Sequence, residues 1–389
     1  MLLSGTKKGV KMDDIIRILI DKIKKKQAYI AVIGLGYVGL PLIKVFLNKG
    51  FRVLGFDIDQ NKVDSLNSGI SYIRHVTGED LKPFLAKNKF HATSNKSELR
   101  NADVILICVP TPLDAHWNPD LSFVLNTTHI IAENLSRGQL VVLESTTYPG
   151  TTEEEMLPIL ESKGYKVGKD FCLAYSPERE NPGDKEFTTS KIPKVVGGVT
   201  SHCLKAAKTL YDQIVIETVS VSSPRAAEAT KLLENIFRSV NIALVNELKI
   251  IFDRLDIDIW EVIKAASSKP FGFMPFFPGP GYGGHCIPVD PFYLAFKARQ
   301  HDFYTEFVEL AGKINQSQPL YCVSKIQSSL NDAGKAVNDA KVLILGVSYK
   351  AGVADLREAP ALKIIRRLRK LGGDVSYHDP LVPSLDGLE

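Results

Sequence analysis

Short, wholly apolar runs alternate with longer stretches whose apolar residues recur every three or four positions. The runs "AYIAVIG" at 28–34, "FRVLGFDID" at 51–59, "ADVILICVP" at 102–110 and "QLVVLES" at 139–145 read as strands covered on both faces, with helical spacing between them. "DFCLAYSP" at 170–177 and "PKVVGGV" at 193–199 are further strand candidates. This alternation predicts an α/β fold with a Rossmann-like, doubly wound parallel sheet. Ahead of it, "DDIIRILIDKIKKKQ" carries Ile15, Ile16, Leu19, Ile20 and Ile23 at helical spacing and predicts a leading amphipathic helix.

The texture changes near residue 223. "SPRAAEATKLLENIFRSVNIALVNELKIIFDRL" has no Gly or Pro after its second residue, so it predicts one long helix with Ser223 as cap and Pro224 as first residue. More helix runs to about 268, the Gly/Pro-rich loop "FFPGPGYGGHCIPVDPFYL" occupies 276–294, and helices continue to about 330. At 341 "KVLILGVSYK" resumes the strand pattern, followed by the helix "APALKIIRRLRKLG" and the strand "DVSYHDP". Two strands and one helix are fewer than an α/β domain needs, so this domain is expected to be partial. The expected organisation is a helical extension at 1–27, a nucleotide-binding domain at 28–220, a central helical domain at 221–330 and a partial Rossmann-like domain at 331–389.

Composition narrows the function classes. A hydrophobic fraction of 44% and a charged fraction of 24% are ordinary for a globular protein, and a net charge of +4 argues against a dedicated nucleic-acid binder. The five cysteines, at 108, 172, 203, 286 and 322, form no CxxC pair. They read as reduced thiols of a cytoplasmic protein rather than a disulfide framework, and no metal site is expected. No apolar run approaches the roughly 18 to 20 residues of a membrane span, and the N-terminus does not resemble a signal peptide.

"GLGYVG" at 34–39 directly follows the first strand. In such a turn Gly34 permits the tight bend, Gly36 admits a pyrophosphate to the backbone, and Gly39 lets helix pack on strand, with Tyr37 and Val38 between them. The second strand ends in Asp57, a carboxylate able to accept hydrogen bonds from an adenosine ribose and to repel a 2′-phosphate, which favours NAD over NADP. Two more strand ends, Val109-Pro110-Thr111 and Ser145-Thr146-Thr147, fall where ligands bind in open α/β sheets.

Three separated pieces supply a reactive set: "SPERENPGD" with Glu178, "TKLLENIFRS" with Lys231 and Asn235 at i and i+4, and the loop with Cys286 and Asp290. A thiol, an amine, an amide and two carboxylates are the parts of covalent carbonyl chemistry. With "GLGYVGLPL", "VPTP", "ESTTYPGTT", "SPER", "KLLENIFRSVNIALVNE", "GPGYGGHCIPVDP" and "ILGVSYKAGVADLREAP" in order, the chain from about Ile30 onward resembles the UDP-glucose/GDP-mannose dehydrogenases. Its cysteine loop is most similar to the subgroup that oxidises UDP-N-acetylglucosamine, with the UDP-N-acetylmannosamine enzymes close behind.

The resemblance implies a four-electron oxidation of the sugar C6 hydroxyl with NAD. Cys286 would capture the aldehyde as a thiohemiacetal and carry the resulting thioester. Lys231 and Asn235 would stabilise the oxyanion, Glu178 would serve as acid/base in hydrolysis, and Asp290 with Thr146 would hold the water. Lys62 and Arg357 would contact NAD. Arg179, Tyr349, Lys350 and the loop residues Phe277, Gly279, Gly281, Tyr282 and Gly283 would contact the UDP-sugar. A homodimer or higher homo-oligomer is implied, with Leu232, Ile236, Val240, Leu244 and Leu248 of the long helix as its core. His285 could tune the neighbouring thiol, and the other cysteines read as inert, Cys108 and Cys172 as strand core.

Departures from the glucose enzymes point to an N-acetyl sugar: Val289 stands where they have a lysine, and "RENPGD" follows Glu178. The arginine that the family lends across the dimer has no match, since Pro270 stands there beside Lys269. Three other readings compete. They are a UDP-N-acetylmannosamine or UDP-glucose enzyme, a simple two-electron dehydrogenase, and a catalytically inactive NAD-binding regulatory protein.

Overall fold

The computed structural model describes residues 12–73, 76–114, 116–179, 189–284 and 287–385. Its chain divides between Lys231 and Leu232 into two compact units. The first opens with α1 (Met12–Lys24), β1 (Tyr29–Ile33), α2 (Gly39–Asn48), β2 (Arg52–Phe56), α3 (Gln60–Asn67) and α4 (Gly78–Ala86). It continues through β3 (Phe90–Thr93), β4 (Val104–Ile107), α5 (Ser122–Asn134), β5 (Leu140–Leu143) and α6 (Leu157–Glu161). It closes with β6 (Cys172–Tyr175), β7 (Lys194–Gly198), α7 (Ser201–Tyr211) and β8 (Thr218–Val221).

These strands make one eight-stranded sheet in the order β3-β2-β1-β4-β5-β6-β7-β8. Two apolar clusters cover its faces, one around Ile30, Val32, Val53 and Leu106 and the other around Ala31, Ile33, Leu54 and Ile105. Neighbours along a strand point to opposite faces, so strands buried on both sides read as unbroken apolar runs. The sheet is the expected doubly wound, mostly parallel one, with a single antiparallel joint. β7 pairs antiparallel with β6, through Ala174 opposite Gly198 and Tyr175 opposite Gly197, and β8 is parallel to β7. A continuous apolar run carries no sign of strand direction. The short strands β3 and β8 have too little apolar content to stand out.

The apolar stripe of the leading helix is buried: Ile16, Leu19, Ile20 and Ile23 join the same cluster as Ala206, Ala207 and Leu210 of α7. Lys22 Nζ lies 2.6 Å from Asp103 Oδ1 and ties α1 to the approach of β4. Cys108, Cys172 and Cys203 are buried. No helix among the described residues is long and apolar enough to cross a membrane.

The long helix is present as α8 (Pro224–Arg254), 31 residues with Pro224 at its start. Ser223 Oγ accepts the Ala226 N–H at 3.2 Å, as its capping role required. α8 begins in the first unit and continues into the second. There follow α9 (Ile259–Ala266), α10 (Asp290–Arg299), α11 (Glu306–Asp332), β9 (Lys341–Leu345), α12 (Pro360–Lys370) and β10 (Asp374–His378). β9 and β10 form a parallel pair, and Val323, Val347, Ile364, Ile365, Leu368 and Val375 share one apolar cluster.

Candidate active site

The turn between β1 and α2 is shaped by close backbone approach. Gly34 has φ +93°, and a Cβ there would lie 2.5 Å from the Cys108 carbonyl oxygen. A Cβ on Gly39 would lie 1.9 Å from the Gly34 carbonyl oxygen, so only glycine lets the helix start this close to the strand. Gly36 differs: nothing lies within 4 Å of a Cβ built there. No side chain caps α2 at Val38, and no acidic residue stands in its first turn. Its first N–H groups and dipole therefore meet no competing carboxylate of their own turn. Tyr37 beside them is half exposed.

Asp57 closes this cradle at the end of β2. Its Oδ2 accepts the Leu35 N–H at 3.0 Å and its Oδ1 accepts the Asp59 N–H at 3.0 Å, while Lys62 Nζ stands 3.5 Å away. Ser145 Oγ donates to the Val109 carbonyl at 2.7 Å, which joins the ends of β4 and β5. Thr111 is buried beside the more exposed Pro110. Thr147 is buried and hydrogen-bonds the Thr151 hydroxyl, whereas Thr146 is only partly covered. The open space at Gly36, the free helix start and the placed carboxylate fit a dinucleotide diphosphate and ribose. Arg357, the remaining expected NAD contact, lies in the second unit and pairs with Asp355 at 2.5 Å.

Lys231 and Asn235 stand one turn apart on α8, and both are buried. Lys231 Nζ donates to the Glu178 carbonyl oxygen and lies 3.9 Å from that residue's carboxylate. Arg179 donates to the Pro193 carbonyl at 2.6 Å. In the second unit Asn235 Nδ2 donates to the buried Asp290 carboxylate, and Arg238 donates to Asn235 Oδ1. The Asn235 amide is thereby fixed with its nitrogen toward Asp290. Cys286 and His285 lie outside the described residues.

The glycine loop is held by backbone contacts. Gly279 N donates to Asn246 Oδ1 at 2.9 Å, and Gly284 N donates to the Arg357 carbonyl at 3.0 Å. Gly281 has φ +119°, and Cβ atoms on Gly283 and Gly284 would strike the Tyr349 side chain at 2.6 and 2.7 Å. Tyr349 therefore sits against this loop, with Lys350 beside it in sequence and half-buried. Phe277 stacks on Trp260 at 5.9 Å, and burial pushes the Tyr282 hydroxyl up to about 12. Lys269 lies over the Phe271 ring at 4.9 Å.

Sequence reasoning missed three positioning groups. Buried Glu228 accepts from Gly150 N at 2.6 Å and from Thr152 N at 3.0 Å, so it fixes the start of the π-helical turn Thr151–Met156 that follows the Ser145–Thr147 strand end. Burial pushes its carboxyl upward. Tyr72 donates to the Leu35 carbonyl at 2.6 Å inside the glycine turn. Asn246, fully buried on α8, links the Gly279 amide to Asn315. Only Glu228 and Asn246 carried a signal, as polar residues on the apolar face of a helix.

A Rossmann cradle of this kind, beside a helix-borne lysine hydrogen-bonded to a loop glutamate, defines an NAD-dependent oxidoreductase. Models of the UDP-glucose/GDP-mannose dehydrogenase family match three segments: the NAD binding domain at 28–215, the central domain at 225–317 and the UDP binding domain at 343–388. The chain belongs to this family of nucleotide-sugar dehydrogenases. It is 43% identical to Protein CapL of Staphylococcus aureus over 90% of this chain and 81% of that one. It is 40% identical to the UDP-N-acetyl-D-glucosamine 6-dehydrogenase of Pseudomonas aeruginosa, over 93% and 85%. The solved structure of a UDP-D-ManNAc dehydrogenase from Pyrococcus horikoshii superposes with a TM-score of 0.85 at 34% identity, covering 92% of this chain and 86% of that one.

Proposed function

We propose that this chain oxidises the C6 hydroxyl of a UDP-N-acetylhexosamine, with UDP-N-acetylglucosamine favoured, to the uronic acid. NAD supplies the hydride acceptor for each of two oxidations. In the first, Lys231 receives the hydroxyl proton as the aldehyde forms. The Cys286 thiolate then adds to the aldehyde carbon, giving a thiohemiacetal whose oxyanion faces the Lys231 ammonium and the Asn235 amide. Loss of the second hydride leaves a thioester. Water adds to it with Asp290 and Thr146 holding the nucleophile, Glu178 moves the proton, and the thiolate departs to release the acid.

The observation that carries this reading is the pairing on successive turns of α8, Lys231 with Glu178 and Asn235 with Asp290. It holds the amine on the Glu178 carbonyl with that residue's carboxylate 3.9 Å away, and the amide on the Asp290 carboxylate. The names of the relatives support an N-acetylhexosamine, and Val289 and "RENPGD" favour it over glucose. Arg179, Tyr349 and Lys350, with the Phe277–Gly283 loop, are the proposed UDP-sugar contacts, and Lys62 and Arg357 those for NAD. The proposed working parts are the nucleotide-binding domain to residue 220, the central domain to 330 and the UDP-sugar domain beyond, in a cytoplasmic enzyme.

A homodimer is part of the same reading. Leu232 and Ile236, expected at its core, are already buried within one chain, while Leu233, Phe237, Leu244 and Ile251 form an exposed apolar stripe along α8. That stripe is the surface a second copy covers. The test of function is NADH released per sugar with UDP-N-acetylglucosamine, UDP-N-acetylmannosamine and UDP-glucose side by side. Two NADH with the first compound supports the reading. One NADH per sugar, or unchanged acid production by Cys286→Ser, overturns the covalent mechanism.

A further inference from the structure

Behind the Ser176–Arg179 segment lies a charged cluster that the reaction above does not use. Lys194 at the start of β7, Glu144 just past β5 and Tyr211 at the end of α7 are 5%, 1% and 0% exposed. Lys194 Nζ donates to Glu144 Oε2 at 2.5 Å and to the Pro177 carbonyl at 3.1 Å, and it stands 5.0 Å from the centre of the Tyr211 ring. Tyr211 Oη donates to the other oxygen, Glu144 Oε1. Burial pushes the Glu144 carboxyl up, and the Lys194 ammonium and Tyr211 hydroxyl pull it back down.

An ion pair removed from water costs several kcal/mol per ion in desolvation, by about as much as its own attraction returns. Such a pair is a poor way to gain stability, and an apolar pair of similar volume would serve the core as well. What this pair adds is a third contact, the one to Pro177. Four successive residues of the segment are fastened at once. Ser176 Oγ donates to the Val195 carbonyl at 2.9 Å, Pro177 O accepts from Lys194, Glu178 O accepts from Lys231, and Arg179 donates to the Pro193 carbonyl. Two lysines thus hold the carbonyls on either side of the Glu178 Cα, that of Pro177 before its nitrogen and its own after it. Reversal of β7 makes this reachable: because it runs against β6, its first residue lies at the end where β6 stops.

We propose that Lys194, held by Glu144 and Tyr211, is a positioning residue that sets the placement of Glu178 for hydrolysis of the thioester. The inference rests on the reading of Glu178 given above. In Lys194→Met/Glu144→Gln, which removes both charges together, kcat falls about tenfold to a hundredfold, a partial loss of the roughly hundredfold or more that a well-placed acid/base contributes. The KM for NAD does not move, and the sugar accumulates as a covalent adduct on the protein, seen by intact mass after quenching. Lys194→Arg, which keeps a donor and the charge, restores most of kcat. A merely structural role lowers the melting temperature but leaves kcat per folded molecule and adduct content at wild-type values, and that result overturns the proposal. Should the paired variant not fold, Tyr211→Phe decides, since it removes only one oxygen: a severalfold loss of kcat with adduct supports the proposal, and wild-type kcat without adduct overturns it. Glu178→Gln, run alongside, separates the two ideas. If it keeps full activity, the reading of Glu178 is wrong; if it stalls with adduct while the Lys194 variants do not, only the positioning role is wrong.

Discussion

Gly36→Ala separates folding from cofactor binding, because the two effects have opposite signs. No neighbour lies within 4 Å of the added methyl, and Gly36 is not among the glycines with positive φ, so the folded chain accepts alanine without strain. The unfolded chain loses freedom, which stabilises the protein by about 0.4 to 1 kcal/mol. The same methyl occupies the space through which a pyrophosphate reaches the backbone. Loss of one hydrogen bond to a charged group costs about 1.5 to 3 kcal/mol, roughly a ten- to hundredfold rise in the Kd for NAD. Urea unfolding and NAD titration by calorimetry measure the two quantities on one preparation. Gly39→Ala is the control. Its methyl would sit 1.9 Å from the Gly34 oxygen, and it should lose about 3 kcal/mol of stability by overpacking. Equal destabilisation of the two variants, or wild-type NAD affinity in Gly36→Ala, would refute the assignment of that empty space to the cofactor.

Asn246→Ala strands the Gly279 N–H and the Asn315 Oδ1. At about 1 to 3 kcal/mol for the buried Asn315 group left unpaired, and less for the half-buried Gly279 N–H, it should lower the urea midpoint and raise the KM for the sugar nucleotide with little change in that for NAD. Glu228→Gln sets an amide against N–H donors at Gly150 and Thr152, and its melting temperature should fall by the equivalent of about 1 to 3 kcal/mol. Asp253 accepts from Tyr321 at 2.6 Å, with Lys325 at 2.9 Å and Lys249 at 3.1 Å, and these donors hold its carboxyl well below the usual range. Its contribution is therefore complete above the ordinary carboxylate pKa of about 4 and disappears as pH falls toward the lowered folded value. Urea midpoints measured across acid pH should drop less steeply for Asp253→Asn than for the wild type.

The glycine turn between β1 and α2 was legible because each of its geometric demands is local. A tight bend, a close helix start and a carboxylate at the next strand end leave Gly34, Gly39 and Asp57 at fixed places along a strand–turn–helix unit. The long helix was legible from its capped start and unbroken periodicity. The reversal of β7 was not, since parallel and antiparallel burial produce the same apolar run. Nor were Glu144, Lys194 and Tyr211, whose mutual contacts join residues far apart in the chain. On paper each looks like a polar residue at an element's end, the commonest place for a solvated side chain. The shift of the exposed stripe from Leu232 and Ile236 to Leu233 and Phe237 has a similar origin. Over so long a helix apolar residues occupy more than one face, and periodicity alone does not say which face its own chain covers.

The antiparallel joint between β6 and β7 also bears on how this chain tolerates insertions and deletions. Between Arg179 and Pro193 the connection can change length without altering either strand's pairing or the contacts that fasten Ser176 to Arg179. A shift of β7 by a single residue cannot be absorbed, because it turns every side chain of the strand to the opposite face of the sheet. Val195 or Pro193 would then occupy the position of the ammonium, and Glu144 would be left as a buried carboxylate without its counter-charge. The ion pair acts as a register lock: it makes the strand's alignment an all-or-nothing choice, and leaves the loop before it free to vary.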